Sequence, residues 1–247
     1  MSVRAEALPG LPEIDAGDDL AALLAAGAAR LAEPGLAGGD VLVVAHKAVA
    51  KAEGRVVALA DVVPGPRALA LATEHGKDPR LVELILAESA ELLRADAGRF
   101  ICRTRHGFVC ANAGVDQSNA GGRERAVLLP RDPDASARAL RAALGCAVVV
   151  ADSFGRPWRV GQAEVAIGCA GLLPVDDRRG LPDAGGRELH ATQIAIADEA
   201  AAAADLVRGK ATGEPAVRIR GLERFVLAGD GPGAAALIRD RDQDLFG

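Results

Sequence analysis

Tyrosine is absent and Trp158 is the only tryptophan, so the core of this 247-residue chain must be built from Ala, Val, Leu and Ile. The same shortage removes the aromatic platforms on which single-stranded nucleic acid stacks. Net charge is only −5, and no basic or acidic run stands out, which argues against a nucleic-acid partner or a membrane surface. No apolar run approaches the roughly 20 residues that span a bilayer, and the opening MSVRAEALPGLPEI has no apolar signal core. A soluble, cytoplasmic protein is expected. Cys102, Cys110, Cys146 and Cys169 form no CxxC pair and match no zinc-finger spacing, so they read as small buried hydrophobes in a reducing compartment. There is no GxxxxGK followed by Ser or Thr, and no GxGxxG after a strand. A nucleotide, if bound, would sit on neither a P-loop nor a Rossmann crossover.

Two further scarcities point at particular residues. Arginine is abundant, yet only Lys47, Lys51, Lys77 and Lys210 are lysine. Lysine is a compact point charge and arginine a planar fork, so a lysine kept in an arginine-rich composition marks a place where the difference counts. Both asparagines, Asn112 and Asn119, fall within ANAGVDQSN.

Alternating strand and helix patterns predict an α/β or α+β fold with no readable domain boundary. Strands are expected at 41–46, 55–59, 126–130, in AVRIRG, and in CAVVVADSFG ending at Asp152-Ser153. GRFICRTRHG and FVCANAG read as a strand pair. Helices are expected from Asp18 or Asp19 to about Pro34, in PRALALATEHG, through DPRLVELILAESAELLR, in DPDASARALRAAL, and over about 192–207. Residues 156–190 read as mostly irregular, with 175–190 the best place for a long functional loop.

Asp116 and Asp152 follow apolar strand-like segments, where α/β proteins place ligands, and carboxylates there suit Mg²⁺ or Mn²⁺. Ser153 and Asn119 add neutral oxygens. Turn or helix capping by the two aspartates is the plainer alternative. His46, Lys47 and Lys51 follow strand 41–46 and can meet a phosphate or simply form a solvated turn; Lys210 follows a helix end, where a cation also suits the dipole. Trp158 is either core or a platform for a planar ring or an Arg. His106 reads as structural, Cys110 has no activating partner, and Asp198-Glu199 read as a solvent-facing helix pair.

The segments GLPEI, GDDL, VVAHKAVAKAEGR, KDPRLVELIL, TRHGFVCANAGVDQSN, LLPRDPDASA, ADSFGRPWRVGQ, VAIGCAGL, DRRG, ADE and GKATGEP occur in this order over about residues 8–246. In this they resemble the coenzyme F-420-0:gamma-glutamyl ligase family. The resemblance implies an α+β, mixed two-lobed ligase fold filling 1–247 as a single gamma-glutamyl ligase domain, its lobes intertwined in a homodimer. It implies GTP as co-substrate, Mg²⁺ or Mn²⁺ with K⁺ as a further ion, and coenzyme F-420-0 and L-glutamate as substrates. Leu11, Pro12, Glu13, Ile14, His46, Lys51 and Asn119 would contact the nucleotide, and the segment from Arg208 to Pro215, with Gly209 and Lys210, would close over it. Asp116, Asp152 and Ser153 would bind metal, with Asp116, Asp152 and Lys51 carrying catalysis. The implied route activates the coenzyme's carboxylate as an acyl phosphate, which the glutamate amine then displaces. Arg156 and Arg159 are candidate clamps for anionic substrate groups.

The chain departs from the family pattern in three places. His46 stands where Ser or Thr is usual, Ala50 where Ser is usual, and Lys210 at a position that can be a metal-binding Gln. Phosphate or metal contacts from these positions are therefore in doubt. The chain stops at DQDLFG, so a stand-alone ligase is expected, without the nitroreductase-like domain fused to some relatives. A non-catalytic deazaflavin or nucleotide carrier, and a metal-dependent phosphohydrolase using the same carboxylates, are the rival readings.

Overall fold

The fold was described from a computed structural model, covering residues 2–209 and 213–244. In chain order the elements are β1 (Arg4–Ala7), α1 (Leu20–Ala28), β2 (Val41–Ala45), α2 (His46–Ala52), β3 (Val56–Ala58), α3 (Pro66–His75), α4 (Pro79–Glu88), β4 (Ser89–Asp96) and β5 (Arg99–Thr104). There follow β6 (Val109–Ala111), β7 (Arg125–Val127), α5 (Pro133–Leu144), β8 (Ala147–Arg156), β9 (Arg159–Ala170), β10 (Asp176–Asp177), β11 (Gln193–Ile194), α6 (Ile196–Asp205) and β12 (Ala216–Arg220).

The central sheet has the order β1-β12-β2-β8-β9. Only β2 and β8 are parallel; the other pairings are antiparallel. Strands β2 and β8 are apolar without interruption because both faces of the sheet are covered. Leu42, Val44, Val148 and Val150 pack with residues of α1, α2 and α5, while Val41, Val43, Ala147 and Val149 pack with α6. A separate core lies around α3, α4 and the three-stranded sheet β4-β5-β6. The fold is α+β, as expected from the sequence.

Several elements differ from the sequence reading. The helix expected through DPRLVELILAESAELLR stops at Glu88, and residues 89–96 form β4 paired with β5. Local helix propensity yields there to cross-strand pairing closed by Ala97 and Gly98, both at positive φ, the two-residue turn that hairpin twist favours. Leu92, within the expected helix, packs from the strand against the core around α3 and α4. Residues 159–170, read as irregular, form the long strand β9; its Arg159 and Gly161 lie toward the exposed tip, and its apolar half is buried. Asp152 and Ser153 consequently lie inside a strand, not at its end. Lastly, β1 escaped notice: it is a short edge strand on β12.

Trp158 is 79% exposed and sits with Pro157 in the β8–β9 turn, so it is not core. Among the described residues, no helix is long and apolar enough to cross a membrane.

Gly168 on β9 lies directly against the first turn of α5. A Cβ there would overlap the carbonyl of Pro133, which is backbone and cannot rotate away. Gly168→Ala should therefore cost about 3 kcal/mol, seen as a lower urea midpoint with unchanged slope. A parental midpoint would show that the two elements can separate without loss.

Candidate active site

The parallel register sets Ala45 beside Ala151. The residues that follow, His46 and Asp152, lie side by side where β2 ends and its parallel pairing with β8 stops, β8 itself running on to Arg156; the carboxyl ends of strands are where open sheets bind ligands. Here β2 turns straight into α2, so the expected loop is a helix. His46 is buried, and its Nε2 lies 3.1 Å from Asp152 Oδ1. Lys47 and Lys51 are four residues apart on α2 and so share a face. Lys47 Nζ donates to Asp116 Oδ2 at 2.6 Å and to Ser118 Oγ at 2.5 Å. Lys51 Nζ pairs with Glu13.

Asp116 arrives from a distant part of the chain. A 3₁₀ turn at Asn112–Gly114 precedes it, and its backbone bridges Val127. Its carboxylate also accepts from Ser118 N and Ser118 Oγ, both at 2.8 Å. Burial pushes its acidity down, but Lys47 and the Ser118 donors outweigh that and hold the carboxyl below its ordinary range. Asp152 shows the same balance: burial opposes ionisation, and His46, the Ser153 N–H and Lys47 overcome it. Lys47 thus stabilises both carboxylates, the position a bound cation would share.

The oxygen donors fit a hard divalent ion: two ionised carboxylates and the Ser153 hydroxyl. Among the described residues no three His, Cys, Asp or Glu side chains converge as a metal cluster. An ion held here would draw its remaining ligands from phosphate and water. Cys110 offers no nucleophile, since burial first, then Asp152 and Cys102, push its thiol up to about 12.

Beyond Asp116 the chain forms an open depression of about 460 Å³ lined by Gln117, Asn119, Ala120, Gly121, Gly122 and Arg123. Asn119 has φ +57, so the loop reverses sharply there. On the other side, Ser153 Oγ donates to Glu164 Oε1 at 2.5 Å, and Glu164 Oε2 lies 2.8 Å from Arg208 Nη2.

Residues 10–221 match the family model described as F420-0:Gamma-glutamyl ligase. The chain belongs to this family. It is 46% identical over 253 residues to the Coenzyme F420:L-glutamate ligase of Methanothermobacter thermautotrophicus, covering 100% of this chain and 99% of that protein. The proteins of the same name from Methanopyrus kandleri and Halobacterium salinarum are 44% and 45% identical, over 99% and 98% of this chain and 98% and 95% of theirs.

For a member of the F420-0:gamma-glutamyl ligase family, the geometry sorts the sequence candidates. His46 meets Asp152, beside Ser153, and Asp116 meets Lys47, whose charge also acts on Asp152; Lys51 stands on the same helix face with Glu13. Leu11 and Ile14 instead pack into the core beside α1, leaving Pro12 and Glu13 exposed. Asn119 is exposed on its loop. Gly209 is exposed just past α6, and Lys210 lies outside the described residues. Ala50 is fully buried against Ala120, Val127 and Val56, so its missing hydroxyl faces packing. Lys77 and Asn112, two of the six rare residues, have structural partners: Lys77 Nζ donates to Gly98 O at 2.9 Å and Asn112 Oδ1 at 3.3 Å. His106 Nε2 bonds the Pro130 and Arg131 carbonyls at 3.0 and 3.1 Å. Asp198 accepts from Ala166 N at 2.8 Å beside the β8–β9 register shift, so it is not a solvent-facing acid.

Sequence reading passed over Ser118 and Glu164 as site residues, and both carry no signal until the fold places them. Lys47 was read as a phosphate candidate and Arg208 as the start of a closing segment, but neither was read as a partner of a carboxylate.

Proposed function

We propose that this chain ligates L-glutamate to coenzyme F420-0, driven by GTP and a divalent ion, Mg²⁺ or Mn²⁺. Family membership and the names of its full-length relatives support the acceptor and the amino acid. The observation that carries the chemistry is the convergence of Asp116 and Asp152, 36 residues apart in sequence, on the Lys47 ammonium. Two carboxylates kept ionised suit a cation that offsets phosphate charge during phosphoryl transfer.

Lys51, on the same helix face, would steady the nucleotide phosphates, with Glu13 released from it as they arrive. His46 holds Asp152 in orientation, and Asn119 with its loop lies open to the nucleotide. The coenzyme's carboxylate oxygen attacks the γ-phosphorus and GDP leaves. The glutamate amine then attacks the acyl carbon and phosphate leaves, its proton passing to solvent. No side chain becomes covalently bound, so the chain contributes positioning and electrostatics. The homodimer implied by the resemblance finds support in the β8–β9 hairpin tip, where Trp158 and Val160 are 79% and 98% exposed.

The test is a mass-spectrometric end-point assay with coenzyme F420-0, L-glutamate, GTP and Mn²⁺, omitting each in turn. A product heavier by glutamyl units, requiring every component, is expected. GTP loss without that product would replace the ligase with a phosphohydrolase, and binding without turnover would replace it with a carrier.

A further inference from the structure

Glu164 and Arg208 are a pair of opposite charges deep in the protein, with side chains only 5% and 9% exposed. Burying two charges is costly and a poor source of stability by itself, so such a pair calls for a role. Its position supplies one. Register places Glu164 opposite Ser153 on the β8–β9 hairpin, and the Ser153 hydroxyl donates to Glu164 Oε1 at 2.5 Å. The next backbone N–H contact ties Ser153 to Asp152 Oδ1 at 2.7 Å. Arg208 follows the end of α6 and opens the segment that returns to the sheet at β12.

A serine hydroxyl has one proton and two lone pairs, and the Ser153 proton goes to Glu164. With its proton fixed on a carboxylate, the lone pairs are turned away from Glu164 and the oxygen becomes a better donor to a hard cation. Carboxylates behind metal ligands act in this way, and their loss lowers metal affinity about 10–100-fold. The Glu164–Arg208 contact is close but poorly directed: Oε2 and Arg208 Nη1 have no hydrogen-bond partner among the described residues. The pair is therefore joined chiefly by charge, and it links the orientation of Ser153 to the start of the segment after α6.

We infer that Glu164 is a positioning residue that orients the Ser153 hydroxyl toward the divalent ion and, through Arg208, anchors the chain just past α6, residues 206–209, to the same point. This rests on the proposed metal-dependent reading of the Asp116–Asp152 site. Glu164 touches no substrate; it acts through Ser153 and Arg208.

The experiment measures free Mn²⁺ by electron paramagnetic resonance during titration of the whole chain, with Mn²⁺ as the only added ligand. Hydrogen exchange of residues 205–209 is followed in the same samples. Parent, Glu164→Ala, Glu164→Gln and Asp152→Asn are compared. Glu164→Ala should weaken Mn²⁺ binding about tenfold or more and speed exchange after α6. Glu164→Gln, whose amide oxygen still accepts from Ser153, should recover part of the Mn²⁺ affinity but not the slow exchange, because the charge on Arg208 is unanswered. Should Glu164→Ala fail to fold, that split in Glu164→Gln alone carries the test. Parental Mn²⁺ affinity in both Glu164 variants, with Asp152→Asn impaired, overturns the inference and leaves the metal site standing. Parental affinity in Asp152→Asn as well overturns both. Equal loss of affinity and protection across every Glu164 variant would mark Glu164 as merely structural and also overturn the inference.

Discussion

Replacing Asp116 with alanine should abolish ligation, lowering turnover by about a thousandfold or more, while the fold survives. The two effects separate because of where the side chain sits. Its side chain is 45% exposed, and that of its partner Lys47 is 21% exposed, so losing the pair costs the fold about 1 kcal/mol or less. The same carboxylate is the one that pairs directly with Lys47, and its charge at the phosphates is lost with it. The check is turnover in the mass-spectrometric assay beside a urea midpoint. Near-parental turnover would remove Asp116 from the reaction, and an unfolded variant would make it a structural residue.

Asp152→Asn should differ in a way the geometry dictates. Asp152 answers His46, a buried side chain 4% exposed. Its carboxyl is held below the ordinary range, so the folded form binds its proton more weakly than the unfolded chain does. The stability this contributes is complete above the ordinary carboxylate value of about 4 and is lost as pH falls through the lowered one. The parent's stability should therefore fall on acidification below pH about 4, and Asp152→Asn should start lower and show a flatter acid limb.

How far the site could be read in advance depended on whether its residues carry local signals. Asp116 and Asp152 did, each at the end of an apolar segment, and their pairing with a basic residue after strand 41–46 was open to inference from residue type. Ser153 likewise follows directly from the run that ends in β8. Glu164 did not: it lies in RVGQAEVAIG, whose Gly, Arg and Gln hide a strand, because pairing with β8 and not local propensity makes it extended. The helix assigned across Ser89 failed for the same reason, with β5 supplying the partner that the local pattern lacks. The continuous apolar strands β2 and β8 were legible because burial on both faces writes itself into composition. Their being parallel neighbours, which sets His46 beside Asp152, is a property of the sheet and of no single segment.

Lys51 provides the remaining large effect, and the composition of the chain sharpens it. Lys51→Met should lower kcat/KM for GTP about a hundredfold to a thousandfold, because the charge on the shared face of α2 is lost. Lys51→Arg keeps that charge and suits a chain in which arginine outnumbers lysine more than sixfold, yet it too should raise KM for GTP about tenfold. The Lys51 side chain is only 12% exposed and its ammonium meets Glu13. A guanidinium in that space is wider and would pair with Glu13 through two nitrogens, a contact harder for phosphate to displace. The comparison is made with a fluorescent GDP analogue for binding and the glutamyl product for turnover. A parental Lys51→Arg would mean that only charge is needed there. A parental Lys51→Met would place the phosphates elsewhere, with Lys47 the remaining cation on that face of α2. If Glu13→Gln were to tighten GDP binding in the parent background, the competition between Glu13 and phosphate for Lys51 would be confirmed directly.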